Sequence, residues 1–425
     1  MIDKYYNGVI EQVVSGIGNV EHNSILVRYS NDFSIWDLES VNHYKDQSDI
    51  FFTCHEFSYN KIAEAYEPYL GLIRQMFHRY CSGTLEEFME ECDVYKLQRP
   101  VFESYFENGF CERTEQILID EVEYEQERMR NSIVTMLQKL SEIRPVVIVL
   151  NRFQLASKST MQLTNRLLQT KNKNIGIVLG VNDVQSIPEF AHEEWDAICE
   201  SMDDRNMVYH IGNAGRNMEP DVMDYYSDYE SDDGYRKLNN LVYFLDFDQA
   251  DHHLSKIERR IKFDNFTISE KKHYQLLLLQ IMVSVLQRDI AKALESCEDL
   301  EKLQDQEKEG AFYYNFWMAT SYMYLGKLEE AMIYVQKAKE CGEALGDDFL
   351  VFRAELLKAQ NQMSGWCNIF FCAQDIEISD KLIEKLNAYD YKNHLAHIYI
   401  YAYDNKPEIV AKAYRSEAFL IYFSK

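Results

Sequence analysis

The chain has 425 residues, 46% of them hydrophobic and 27% charged, which fits about two to four folded domains and excludes wholesale disorder. Seventy acids against 44 bases leave a net charge of −26, which disfavours a nucleic-acid backbone or an anionic membrane as partner. Nine cysteines without a Cys-x-x-Cys pair, with only 6 prolines and 16 glycines, point to reduced thiols and a helix-rich architecture.

The N-terminus shows no basic segment followed by an apolar one, and no run of about 18 apolar residues occurs. The expectation is therefore a soluble, cytoplasmic protein. Along the chain, Ile25–Val27 is a brief strand candidate and Ile50–Cys54 a better one, rich in aromatic and β-branched residues. Residues 66–140 read as an inserted helical arm. Val146–Leu150 is a continuous apolar run behind Arg144 and Pro145, as suits a parallel strand covered on both faces. A helix over about 159–169 separates it from a fourth strand at Ile175–Leu179, and Met207–Ile211 is a weaker fifth. Strands alternating with helices predict a parallel sheet with crossover helices.

Between Glu219 and Asp233 stand seven acids and no base. Such a block repels itself and stays solvated, so residues 212–235 read as an acidic linker. A calcium loop is the competing reading, but its glycine comes one place late at Gly234 and Asn239 stands where the closing glutamate belongs. From residue 236 the pattern is helical and repetitive. Ala319, Tyr322, Gly326, Leu328, Ala331, Val335 and Ala338 mark two antiparallel helices with Gly326 as a left-handed cap. Ala293 lies 38 residues before Ala331 in a similar setting, with looser copies expected over 349–386 and 391–413.

The segment 315–338 resembles the tetratricopeptide repeat, with Asn315 where that family prefers Trp and without its terminal proline. The resemblance implies a concave surface that holds a protein or peptide. Tyr313, Tyr314, Trp317 and Tyr324 are the candidate partner-binding side chains, although aromatics at helical spacing are commonly core. In the first half, 144–160 (RPVVIVLNRFQLASKST) resembles the Walker B region of the large signal-transduction ATPases of STAND/AAA type. Ile50–Phe77 is similar to that family's second strand and following helix, and 175–183 stands where its sensor strand would be. The resemblance implies a P-loop-NTPase-like α/β fold with a helical insert over 1–211 and an all-α repeat domain over 236–425.

The residues that would do ATPase chemistry are missing. A P-loop needs glycines around the phosphates, a lysine for their charge and a Ser or Thr for Mg²⁺. Residues 28–40, after the first strand, contain neither glycine nor lysine, while Gly16 and Gly18 precede the strand and read as a turn. Asn151 and Arg152 occupy the two positions that are acidic in the family. Losing three charge-assisted contacts removes on the order of 5–9 kcal/mol of binding. Arg28, Asn151 and Arg152 are then a vestigial nucleotide site, with at most weak ATP binding, no cofactor and no catalysis.

Other constellations are thin. His78 and Cys81, with Cys92 and Cys111 downstream, lack the second tight pair of a zinc site. Cys54, His55 and Glu56 end a strand where ligands bind in open α/β sheets, but strand neighbours point to opposite faces. His252 and His253 read as solvated. The expectation is a pseudoenzyme, a non-catalytic signalling or regulatory scaffold that binds a protein partner through its repeats. The alternative is a nucleotide-responsive switch, the sensory half of a cyclase- or transcription-regulator-type system, that binds ATP without efficient hydrolysis.

Overall fold

In the computed structural model, residues 2–368 and 384–385 are described, apart from 20–22, 30–33, 46–48, 59–60, 96–97, 112–121, 171, 183–186, 188, 204–207, 212–228, 230 and 264–265. The apolar runs build a five-stranded sheet from β1 (Ser24–Tyr29), β2 (Phe51–Glu56), β3 (Val146–Asn151), β4 (Ile175–Asn182) and β5 (Val208–Ile211). Every pairing is parallel and the spatial order is β2-β3-β4-β1-β5. All residues of β3 and β4 are buried, which explains why neither strand alternates in sequence.

The helices that alternate with these strands are α1 (Ile2–Gly16), α2 (Glu39–Lys45), α3 (Tyr69–Tyr80), α4 (Leu85–Glu91), α5 (Arg99–Asn108), α6 (Val122–Ile143), α7 (Lys158–Gln169) and α8 (His192–Asp203), with α1 and α2 packed against the sheet. The expected helical arm is thus α3 to α6. Helix α1 has no counterpart among the elements expected from sequence. It brings Tyr6, Ile10 and Val13 into the core with no exposed surface. Local signals place the ends of several helices. Thr84 and Glu87 form a reciprocal capping box on α4, and Ser157 accepts from the Thr160 N–H to open α7.

The described residues divide into two compact units, one running to His253 and the other from Leu254. The division falls within a helix, later than the junction at 235/236 expected from composition. Asp232 and Asp233, counted with the acidic linker in sequence, open helix α9 (Asp232–Tyr243), which Ser231 caps. Acids suit a helix N-terminus, where backbone N–H groups carry partial positive charge. Helix α9 is held to the sheet unit because Asn240 donates to Glu64 at 2.7 Å and accepts from the Cys111 N–H at 2.7 Å. The rest of the linker, 212–228 and Glu230, lies outside the described residues.

Helix α10 (Phe247–Phe263) carries the boundary; α11 (Glu270–Leu286), α12 (Ile290–Glu301), α13 (Gly310–Tyr324), α14 (Leu328–Leu345) and α15 (Asp348–Asn368) follow. One core joins Tyr274, Ile281, Ala293 and Cys297 of α11 and α12 to Met318, and a second joins Phe312, Ala319, Val335 and Ala338 to Leu350 and Leu357. Successive hairpins thus stack on one another. The copy expected over 349–386 is described through α15, and that over 391–413 lies outside the described residues. Among the described residues no helix is long and apolar enough to cross a membrane.

The turns show the repeat better than the side chains do. Leu245, Arg288 and Gly326 all take left-handed backbone conformations, with φ of 67°, 66° and 73°. In each turn that residue's N–H bonds the carbonyl three back and the next N–H bonds the carbonyl five back, at 2.8–3.1 Å. This is the Schellman closure of a helix. Five residues after each comes an alanine with no exposed surface, namely Ala250, Ala293 and Ala331. Holding Leu245 and Arg288 there costs about 1–2 kcal/mol each, and tertiary packing overrides that cost.

Candidate functional site

In an open parallel sheet, ligands bind beyond the strand C-termini where neighbouring crossovers depart in opposite directions. Here β1 connects toward β2 on one side, and β4 connects past β1 to β5 on the other. The switch point lies at the ends of β1 and β4, beside β3. The register sets Tyr29 against Asn182 and Glu56 against Asn151 across their strand pairs.

Tyr29, Asn151, Glu56 and Arg152 form one hydrogen-bonded network. The Tyr29 hydroxyl donates to Asn151 Oδ1 at 2.8 Å, and Arg152 Nη1 lies 3.1 Å from Glu56 Oε1. The second carboxylate oxygen, Glu56 Oε2, accepts from the Ile35 N–H at 2.9 Å and the Ser34 hydroxyl at 3.2 Å. Asn151 Nδ2 stands 3.5 Å from that oxygen, and Gln154 accepts from the Asn182 N–H at 3.2 Å. Asn151 and Gln154 have no exposed surface, and Tyr29 and Asn182 almost none.

Two backbone features aim the network. Arg152 sits in the left-handed region at φ 53°, where non-glycine residues are uncommon. Gly180 has no side chain because a Cβ there would collide with the Tyr6 hydroxyl and Asn151 Oδ1. Helix α1 thereby delivers Tyr6 to the ends of the strands, and burial pushes its phenol well above the usual tyrosine range.

Of the three residues read as a vestigial nucleotide site, Asn151 and Arg152 share Glu56 as partner. Arg28 lies elsewhere, its Nη2 3.1 Å from Cys199 Sγ and its guanidinium over the Trp195 ring at 5.7 Å. Alternation along β1 sends Tyr29 and Arg28 to opposite faces. From sequence, Glu56 stands with Cys54 and His55 at the end of a strand without being joined to Arg152, and Tyr29, Ser34 and Tyr6 are passed over.

Next to this network lies a second polar cluster on the segment after β2. His55 Nε2 is 3.4 Å from Glu67 Oε1, and Glu67 Oε2 accepts from the Glu64 N–H at 3.1 Å. Burial and then Glu67 push the Glu64 carboxyl up to about 7, while burial pulls His55 down to about 4. Burial also pushes the Cys54 thiol up to about 12, so Cys54 and His55 hold neither thiolate nor imidazolium at neutral pH. A raised carboxyl pKa means the native state holds a proton that the unfolded chain has released, so stability falls as pH rises from about 4.5 to 7. Glu64→Gln keeps an acceptor for Asn240 and removes Glu64's part of this dependence, leaving that of Glu67, whose carboxyl burial also raises. It is expected to raise stability at pH 8 by about 1–3 kcal/mol and to flatten the fall between those values, measured by urea unfolding across pH. An unchanged slope overturns the assignment.

The remaining sequence candidates are distributed as follows. Cys92 and Cys111 are buried, Cys81 is half-buried, and His78 contacts the Phe106 carbonyl at 3.3 Å. Among the described residues no group of three or more His, Cys, Asp or Glu is arranged to hold a metal. His253, expected in solvent, is buried between the Tyr229 hydroxyl and Gln249, each at 3.0 Å. Tyr313 belongs to the second repeat core and Trp317 packs against both cores. Tyr314 is half-buried beside Tyr334 with ring centroids 6.3 Å apart. Tyr324 is the exposed one of the four, with the Arg288 guanidinium 4.0 Å above its ring.

No protein-family model, curated protein or solved structure matches the chain. At the switch point a glutamate, an arginine, an asparagine and a tyrosine satisfy one another. Nucleotide turnover at that place needs a lysine for phosphate charge and an acid for metal or water.

Proposed function

We propose that the chain is a non-catalytic signalling or regulatory scaffold. Its first unit is a signal-transduction ATPase-like module that has lost the catalyst, and its second is a tetratricopeptide-like array that binds a protein partner. The observation that carries this reading is the Arg152–Glu56 pair at 3.1 Å. The cation stands where the resembling ATPases place an acid, and its charge is directed inward to a neighbouring strand. The strand order supports an ATPase-like ancestry, because it brings the β1, β3 and β4 ends together at one switch point. The recurrent left-handed turns and buried alanines support the repeat reading.

Calorimetric titration of the full chain with ATP and Mg²⁺ tests the loss of the catalyst. No heat and no phosphate release are expected up to about millimolar nucleotide, an affinity limit of about −4 kcal/mol. Binding near micromolar overturns the scaffold reading in favour of the nucleotide-responsive switch.

A further inference from the structure

We draw no further inference here: the strongest candidate, the Arg353 guanidinium buried between α13 and α15, which lies 4.4 Å from the Phe316 ring centre and has no hydrogen-bond partner at its Nε among the described residues, carries nothing because nothing in the structure shows what covers it.

Discussion

Replacing Glu56 by alanine is expected to lower the stability of the sheet unit by about 2–4 kcal/mol. The carboxylate serves four neighbours at once: Arg152, the Ile35 N–H, the Ser34 hydroxyl and Asn151. Its side chain is 12% exposed and that of Arg152 is 17%, so water compensates only in part when the partner is removed. Truncation takes away the acceptor and leaves a half-buried guanidinium facing an apolar hole. Glu56→Gln keeps one oxygen for the Ile35 N–H and loses the charge, and it is expected to cost about half as much. Urea unfolding followed by tryptophan fluorescence, which sees Trp195 on α8, measures both. Equal stability of the alanine variant and the wild type means that the network does not hold the strand ends.

That network bears on how much of the molecule could be read from the sequence. The strands were legible because Val146–Leu150 and Ile175–Leu179 are uninterrupted apolar runs, and a run buried on both faces requires a parallel sheet with helices on each side. Helix α1 was overlooked although Tyr6, Val9, Ile10 and Val13, all buried, stand at the i, i+3, i+4, i+7 spacing of an amphipathic helix. The second unit was legible at 315–338, where small residues and Gly326 stand at the right intervals. The same closure was obscure at the earlier turns, at Leu245 in the first unit and Arg288 in the second, because these residues hold the conformation that Gly326 adopts without strain. Local preference points away from a left-handed turn at those residues, and packing overrides it.

The candidate site was legible in its composition and obscure as a structure. Missing glycine and lysine after the first strand, with Asn151 and Arg152 behind the third, are visible in the letters. The partner that makes Arg152 a structural residue is not, since Glu56 lies 96 positions earlier and meets it only through the β2–β3 pairing. The aromatic residues read as partner-binding illustrate the complementary difficulty. Tyr313 and Tyr314 are adjacent in sequence, yet the first fills the core and the second is half-buried beside Tyr334. Helical phase separates them, and one stretch of sequence fixes that phase only to within a residue or two.

Gly310→Ala is expected to destabilise the helical-repeat unit by about 2–3 kcal/mol, against the sign that helix propensity alone suggests. An alanine inside an exposed helix stabilises by about 0.5–1 kcal/mol relative to glycine, and Gly310 opens α13 with an ordinary backbone. The obstacle is steric. A Cβ at this position would overlap the backbone carbonyl of Gln304, with that residue's carbonyl carbon and Cα close behind. Gln304 belongs to the short helical turn at 304–306 that leads from α12 into α13. Its backbone cannot rotate aside as a side chain would, so the turn and the helix must separate. Helix α13 supplies Phe312, Phe316 and Ala319 to one repeat core and Met318 to the other. A shift at its N-terminus therefore loosens packing on both sides of the hairpin. Thermal unfolding of the full chain is expected to show an earlier transition for the repeat unit. A rise in stability would mean that the 304–306 turn has room to move and that helix propensity decides at Gly310.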